Sequence, residues 1–279
     1  MAVDFPKLLA RTMDQINNSA LNLCVVLAEG CFGSSVGLYR YHDQLIVIKS
    51  IPFNSPDYAY TAVLKEHTIL SQLCHPRIIQ YRGYYQTTTS WNIVLEYAER
   101  GNLATFLERR LAEGAFLNQH AVMAKFGDIA EGLVYLHQRN VIHRDLKPAN
   151  VLICIDNRLK LADFGISKIM HEDDLNRTIV GTPLYMAPEV ARGKDYDYKS
   201  DVWALGIIFY ELCMLEHPFV DRFGKRRNQK FSVPQLDCKR LGYSSALQGL
   251  CDMMIQKDPT KRWTLESILT KFRILEIVS

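Results

Sequence analysis

The stretch His143-Arg144-Asp145-Leu146-Lys147-Pro148-Ala149-Asn150, followed by Asp163-Phe164-Gly165, decides the fold. Upstream of it, Val122, Phe126, Ile129, Leu133 and Leu136 recur at alternating spacings of 4 and 3. That period predicts a helix with one apolar face, and Asn118 stands where a side-chain oxygen can cap its first amide groups. Downstream, Val151–Ile155 and Leu159–Leu161 read as two short strands around an Asp156-Asn157 turn, a small hairpin. The polar run therefore lies between a buried helix and a hairpin. A solvated loop is the bland reading, but a His-Arg-Asp-x-Lys run beside apolar neighbours is costly to desolvate unless it meets ligands.

Further out the character changes. In residues 21–50, LNLCVVLAEG and QLIVIKSI read as extended segments, with Gly30, Gly33 and Gly37 punctuating a turn between them. Ser55-Pro56-Asp57 supplies the cap, first-turn proline and acidic residue that open a helix, and His75-Pro76 closes it. Ile78 to Tyr85 and Trp91 to Tyr97 read as two more strands, and Glu99-Arg100-Gly101-Asn102 breaks the pattern. After Gly101 helices dominate, among them a buried core helix from Val202 to Leu215. The fold class is α+β: a β-rich lobe of about 100 residues followed by a larger helical one, with the cleft between them as the default ligand site.

Composition narrows the function without naming it. With 33 Lys and Arg against 30 Asp and Glu in 279 residues, the net charge of +3 is too even for a nucleic-acid-binding surface. A hydrophobic share of 48% excludes disorder as the main theme. The 7 cysteines form no C-x-x-C pair, which predicts a reducing compartment instead of a disulfide framework. MAVDFPKLLARTM lacks the apolar core of a signal peptide, and no segment approaches the ~20 residues of a membrane span, so no membrane partner is expected.

Taken together, HRDLKPAN, DFG at 163–165, Ile46-Val47-Ile48-Lys49, Ala187-Pro188-Glu189 and Asp201-Val202-Trp203-Ala204-Leu205-Gly206 resemble the eukaryotic protein kinases, in the family's order over roughly residues 20–275. The resemblance implies a bilobal fold: an N-terminal extension at 1–20, a small lobe at about 21–96, a hinge at 97–101 and a large lobe at 102–279. It implies ATP and Mg2+ as cofactors. Asp145 would accept the proton of a substrate hydroxyl, Lys147 would face the transferring phosphate, and Asn150 and Asp163 would hold the magnesium ions. Lys49 would grip the α- and β-phosphates with Glu66 as its counter-ion. Gly30 and Gly33 would bring backbone amides to the phosphates, although Ala28 and Ser35 replace the family's first Gly and its Val. Val47 stands where the family has Ala. Leu95 would be the gatekeeper, Glu96 to Ala98 the hinge against the adenine edge, and Leu152 its floor.

The same resemblance places Thr178 at the activating phosphosite, reached by an upstream kinase or by autophosphorylation in trans. Arg144 and Lys168 would form the cationic pocket for that phosphate, and Thr182 would bond within the catalytic loop. Asp201 would hold the catalytic-loop backbone, and Arg262 would pair with Glu189. The LKPAN form resembles Ser/Thr kinases, and YDYKSDVWALGIIFYELCMLEHPF with GTPLYMAPE resembles the NIMA-related branch. Protein substrates with Ser or Thr follow, in a cytoplasmic, nuclear or cytoskeletal setting. Asn102 and Ala149 stand where Arg-selecting kinases carry carboxylates, so an apolar residue upstream of the target is expected instead. Two other classes stay open: a pseudokinase scaffold, motivated by Ala28, Ser35 and Val47, and a kinase of small metabolites.

Overall fold

The computed structural model describes residues 21–29, 34–53, 67–163, 184–221 and 234–278. The chain divides into two compact units, which part between Glu99 and Arg100.

In the first unit, strands β1 (Leu21–Glu29), β2 (Ser35–Tyr41), β3 (Gln44–Pro52), β4 (Tyr81–Gln86) and β5 (Ser90–Glu96) form one antiparallel sheet in the order β1-β2-β3-β5-β4. The segment expected to turn at Gly37 instead holds β2, with Gly37 in its middle. A Cβ there would lie 2.7 Å from the Tyr39 ring and 3.2 Å from Leu23, so this glycine answers to close packing and not to a turn. The turn falls at His42-Asp43, where His42 takes φ 50. Alternation along β3 buries Ile46 and Ile48, which with Val94 form a core packed by Leu21, Tyr39, Tyr41 and Tyr85. The period of two turns Val47 and Lys49 to the opposite face. β1 is an edge strand, and its Leu23, Val25, Val26 and Leu27 are each about half exposed. Residues 67–72 are helical, while the start expected at Ser55 lies outside the described residues.

The second unit contains α1 (Leu103–Ala112), α2 (Gln119–His137), β6 (Val151–Ile153), β7 (Leu159–Leu161), α3 (Tyr198–Met214), α4 (Cys238–Leu241), α5 (Ala246–Met254) and α6 (Leu265–Val278). Asn118 caps α2, its side chain accepting from Ala121 N at 2.8 Å. The five apolar residues at alternating spacing are all fully buried, each contributing roughly 1.5–3 kcal/mol of transfer free energy. Phe126 meets Phe209 of α3 edge to face, ring centroids 4.9 Å apart. Helix α3 is buried without a break from Ser200 to Cys213, and Gly206 lets Met254 and Ile255 approach where any Cβ would lie within 2.8 Å of them. The hairpin β6–β7 forms as expected, except that β6 ends at Ile153. The turn begins earlier because Cys154 N donates to Arg158 O and Asn157 adopts φ 64. Among the described residues no helix is long and apolar enough to cross a membrane.

Candidate active site

The site grows from the end of α2 and the start of α3. Asp197 and Ser200 form a reciprocal capping box that fixes the first turn of α3 and so the position of Asp201. Asp201 is buried. Its Oδ2 accepts from His143 N at 2.8 Å and lies 2.9 Å from His137 Nε2, while Oδ1 accepts from Arg144 N at 3.1 Å. Arg144 takes φ 65, a left-handed conformation that costs a side-chain-bearing residue about 1–3 kcal/mol. Two bonds from a buried carboxylate hold the backbone in it. His143 is fully buried; burial lowers its pKa, against the opposing pull of the Asp201, Asp145 and Asp163 carboxylates.

One residue on, the chain presents Asp145. Its Oδ2 accepts from Lys147 Nζ at 2.9 Å and from Asn150 Nδ2 at 3.1 Å, and the same amide donates to Asp145 O at 2.8 Å. A 3-10 turn, Pro148–Asn150, carries Asn150 back over the loop. The hairpin then returns the chain: Ala162 N donates to Asn150 O at 2.9 Å, so Asp163 directly follows the residue bonded to Asn150. Asp163 has φ 54. Asp145, Lys147, Asn150 and Asp163 thus gather within one loop and hairpin.

In the first unit, Lys49 lies in a register row that runs Ala28, Val36, Lys49, Ile93 across four strands. Glu96 ends β5, its carboxylate accepting from Gln80 N at 2.7 Å, and Ala98 is buried. Leu152 on β6 bridges to Asn102, whose side chain accepts from Thr105 N at 3.0 Å and so caps α1. Gly30, Gly33, Glu66, Lys168, Thr178 and Thr182 lie outside the described residues, as does Phe164.

Two buried polar groups frame the Ala187-Pro188-Glu189 segment. Arg262, fully buried, donates to both Glu189 oxygens at 2.6 and 3.0 Å and also to the carbonyls of Lys199 and Gln256. Burial opposes ionisation of Glu189, but the Arg262 bonds prevail and lower its pKa. Glu211, in the buried body of α3, accepts from Tyr185 OH at 2.8 Å through one oxygen, while among the described residues its other oxygen has no hydrogen-bond partner. Burial pushes this carboxyl up to about 7, the tyrosine bond pulling the other way. Sequence reasoning passed over Glu211 and also His137, the third group on Asp201. The available signals were an acid inside an apolar helix and a histidine at a helix end.

A family model described as the protein kinase domain matches residues 22–272. The chain belongs to the protein kinase family. Its sheet followed by a mainly helical region is the pattern of that fold. Among curated kinases, it is 33% identical over 269 residues to the serine/threonine-protein kinase Nek2 of Homo sapiens, an alignment covering 91% of this chain and 59% of that protein. Nek1 of Mus musculus is 32% identical over 250 residues (88% and 20%), and Nek5 of Homo sapiens 31% over 249 (88% and 35%). These relatives are NIMA-related kinases. The chain spans from a fifth to about three-fifths of their lengths.

Proposed function

We propose that this kinase transfers the γ-phosphoryl group of ATP to Ser or Thr hydroxyls of protein substrates. The observation that carries the reading is the Asp145 carboxylate, oriented by Lys147 and Asn150 in a loop tied to Asp201. A general base needs both a fixed direction and a loop that does not drift, since about 1 Å of misplacement can cost a hundredfold in rate. Asp145 takes the proton of the incoming hydroxyl. Lys147, which the structure holds against Asp145, offers its charge to the transferring phosphoryl oxygens. Lys49 binds the α- and β-phosphates with Glu66 as counter-ion, Gly30 and Gly33 admit backbone amides beside Ala28, and Glu96, Ala98 and Leu152 receive the adenine.

The residues also fit Mg2+. Asn150 points its NH2 at Asp145, so its amide oxygen faces away, and Asp163 follows at a left-handed position that an aspartate tolerates better than most residues. One carboxylate and one amide oxygen form no cage, and among the described residues no three acidic, His or Cys side chains cluster as one. Mg2+ characteristically completes such a set with substrate phosphates and water. When bound it would neutralise charge on the phosphate oxygens.

Phosphorylation of Thr178, by an upstream kinase or in trans, would order its segment through Arg144 and Lys168, with Thr182 bonding to the catalytic loop. An apolar residue upstream of the target Ser or Thr is favoured, because Asn102 is occupied as a helix cap and Ala149 carries no charge. The test is radiolabelled ATP with casein as acceptor. Wild type should label Ser and Thr, and Asp163→Ala should abolish the label. No transfer by wild type would favour the scaffold reading, for which Ala28, Ser35 and Val47 are the motivation.

A further inference from the structure

Away from the catalytic loop, the second unit carries a cavity of about 230 Å³ lined by Arg100, Phe106, Arg109, Lys125, Ile153 and Asn157. Its residues come from four places: the segment before α1, α1 itself, α2, and the hairpin β6–β7. Ile153 alternates with Leu152 along β6, so the cavity lies across that strand from the face assigned to adenine.

Three cations converge on it, and among the described residues none of them is in an ion pair. Burial lowers the pKa of Lys125 while the Asp128 carboxylate pulls it the other way, and Arg158 shares that carboxylate. Asp128, one turn from Lys125 on α2, takes a bidentate grip from Arg158, Nη2 to Oδ1 at 2.6 Å and Nε to Oδ2 at 3.1 Å, and also accepts from Leu159 N. Asp156 accepts from Arg158 N. Arg100 spends one donor on the neutral Asn157, Nη1 to Oδ1 at 2.7 Å. Arg109 and Lys125 lie against the Phe106 ring, 5.8 and 4.8 Å from its centroid. That ring holds two like charges toward one space, an arrangement that repels itself until an anion enters.

We propose that this cavity binds the phosphate of a phosphoserine or phosphothreonine in a peptide segment of a partner protein. Guanidinium forks match phosphate oxygens, and two arginines and a lysine around one small space suit a single dianion. A nucleic-acid strand fits less well. It needs a basic track and open aromatic faces, whereas here Arg109 and Lys125 share one aromatic ring and the whole chain carries only +3. An acceptor docked here would be tethered to the kinase without occupying its catalytic loop, and this binding stands whether or not the phosphotransfer reading holds.

Fluorescence anisotropy with a short labelled peptide, one phosphoserine flanked by Glu and Leu, tests the site without ATP. The peptide should bind at least about tenfold more tightly than its serine counterpart, inorganic phosphate should compete weakly, and affinity should fall steeply with salt. Arg109→Gln with Lys125→Met should weaken binding at least about tenfold while thermal unfolding and casein phosphorylation stay as in wild type. Exposed Arg109→Gln alone, which leaves the packing of α2 untouched, should give a smaller loss in the same direction. Equal affinity of wild type and double variant, equal binding of the serine peptide, or displacement of the phosphopeptide by a single-stranded oligonucleotide at lower concentration than by its own unlabelled form would each overturn the proposal.

Discussion

The two units position their candidate site residues by different physics. In the first, Lys49 owes its place to a strand register, fixed by the alternating burial of Ile46 and Ile48 and by ladder bonds on both sides. In the second, Asp145 sits in irregular backbone with no ladder, next to a residue in a left-handed conformation. There the holding is done by buried polar side chains: Asp201 on the loop and Arg262 on Glu189. A regular element tolerates the loss of any one contact because its neighbours repeat it. An irregular loop has no repeats, so single side chains carry it.

That contrast ranks the expected effects of substitution. Arg262→Ala leaves the Glu189 carboxylate buried and unpaired and should cost about 3–5 kcal/mol in denaturant unfolding; a loss below 1 kcal/mol would erase the distinction. Asp201→Asn places an NH2 group against a backbone N–H, at His143 or at Arg144. We expect kcat to fall about a hundredfold, with KM for ATP little changed. A matching rise in KM would mean that the loop does not respond alone.

Glu211 supplies the pH test. Its folded pKa of about 7 lies above the ordinary value of 4.5, so the protonated form is favoured by folding. The associated stability is fully present below about pH 4.5 and is lost as pH rises through 7, by roughly 3 kcal/mol at most. Glu211→Gln keeps an acceptor for Tyr185 and removes the titration. The variant should gain on wild type between pH 5 and pH 8, and parallel stability curves would contradict the assignment. At the small end, Ile48→Val in the sheet should cost only about 0.5–1.5 kcal/mol and leave kcat unchanged.

Legibility in the sequence follows the same divide. Helix α2 announced itself because five buried residues keep one period and a capping Asn precedes them. Helix α1 did not: only Leu103 and Leu107 are buried, a single turn of signal amid Arg109 and Arg110. Strand β2 was hidden because its central glycine, required by the Tyr39 and Leu23 side chains, looks from the sequence like a turn. Asp145, Lys147 and Asn150 were readable as a candidate site because they stand within six positions of one another in a single run. The cations around Phe106 were not, since Arg100, Arg109 and Lys125 are brought together only by tertiary packing. The left-handed Arg144 was equally silent, as nothing in an arginine's identity forecasts a positive φ.

The exposed strand β1 has a consequence of another kind. Among the described residues LNLCVVLAE offers an unpaired backbone edge, with β-branched and apolar side chains, Glu29 as its single charge, and no lysine or proline to discourage pairing. Such a segment is a template for strand addition by a neighbouring chain. In concentrated solution the first sign of trouble for this protein should therefore be self-association through residues 21–29, ahead of any loss of the helical unit, and a lysine at Val25 would be the simplest way to postpone it.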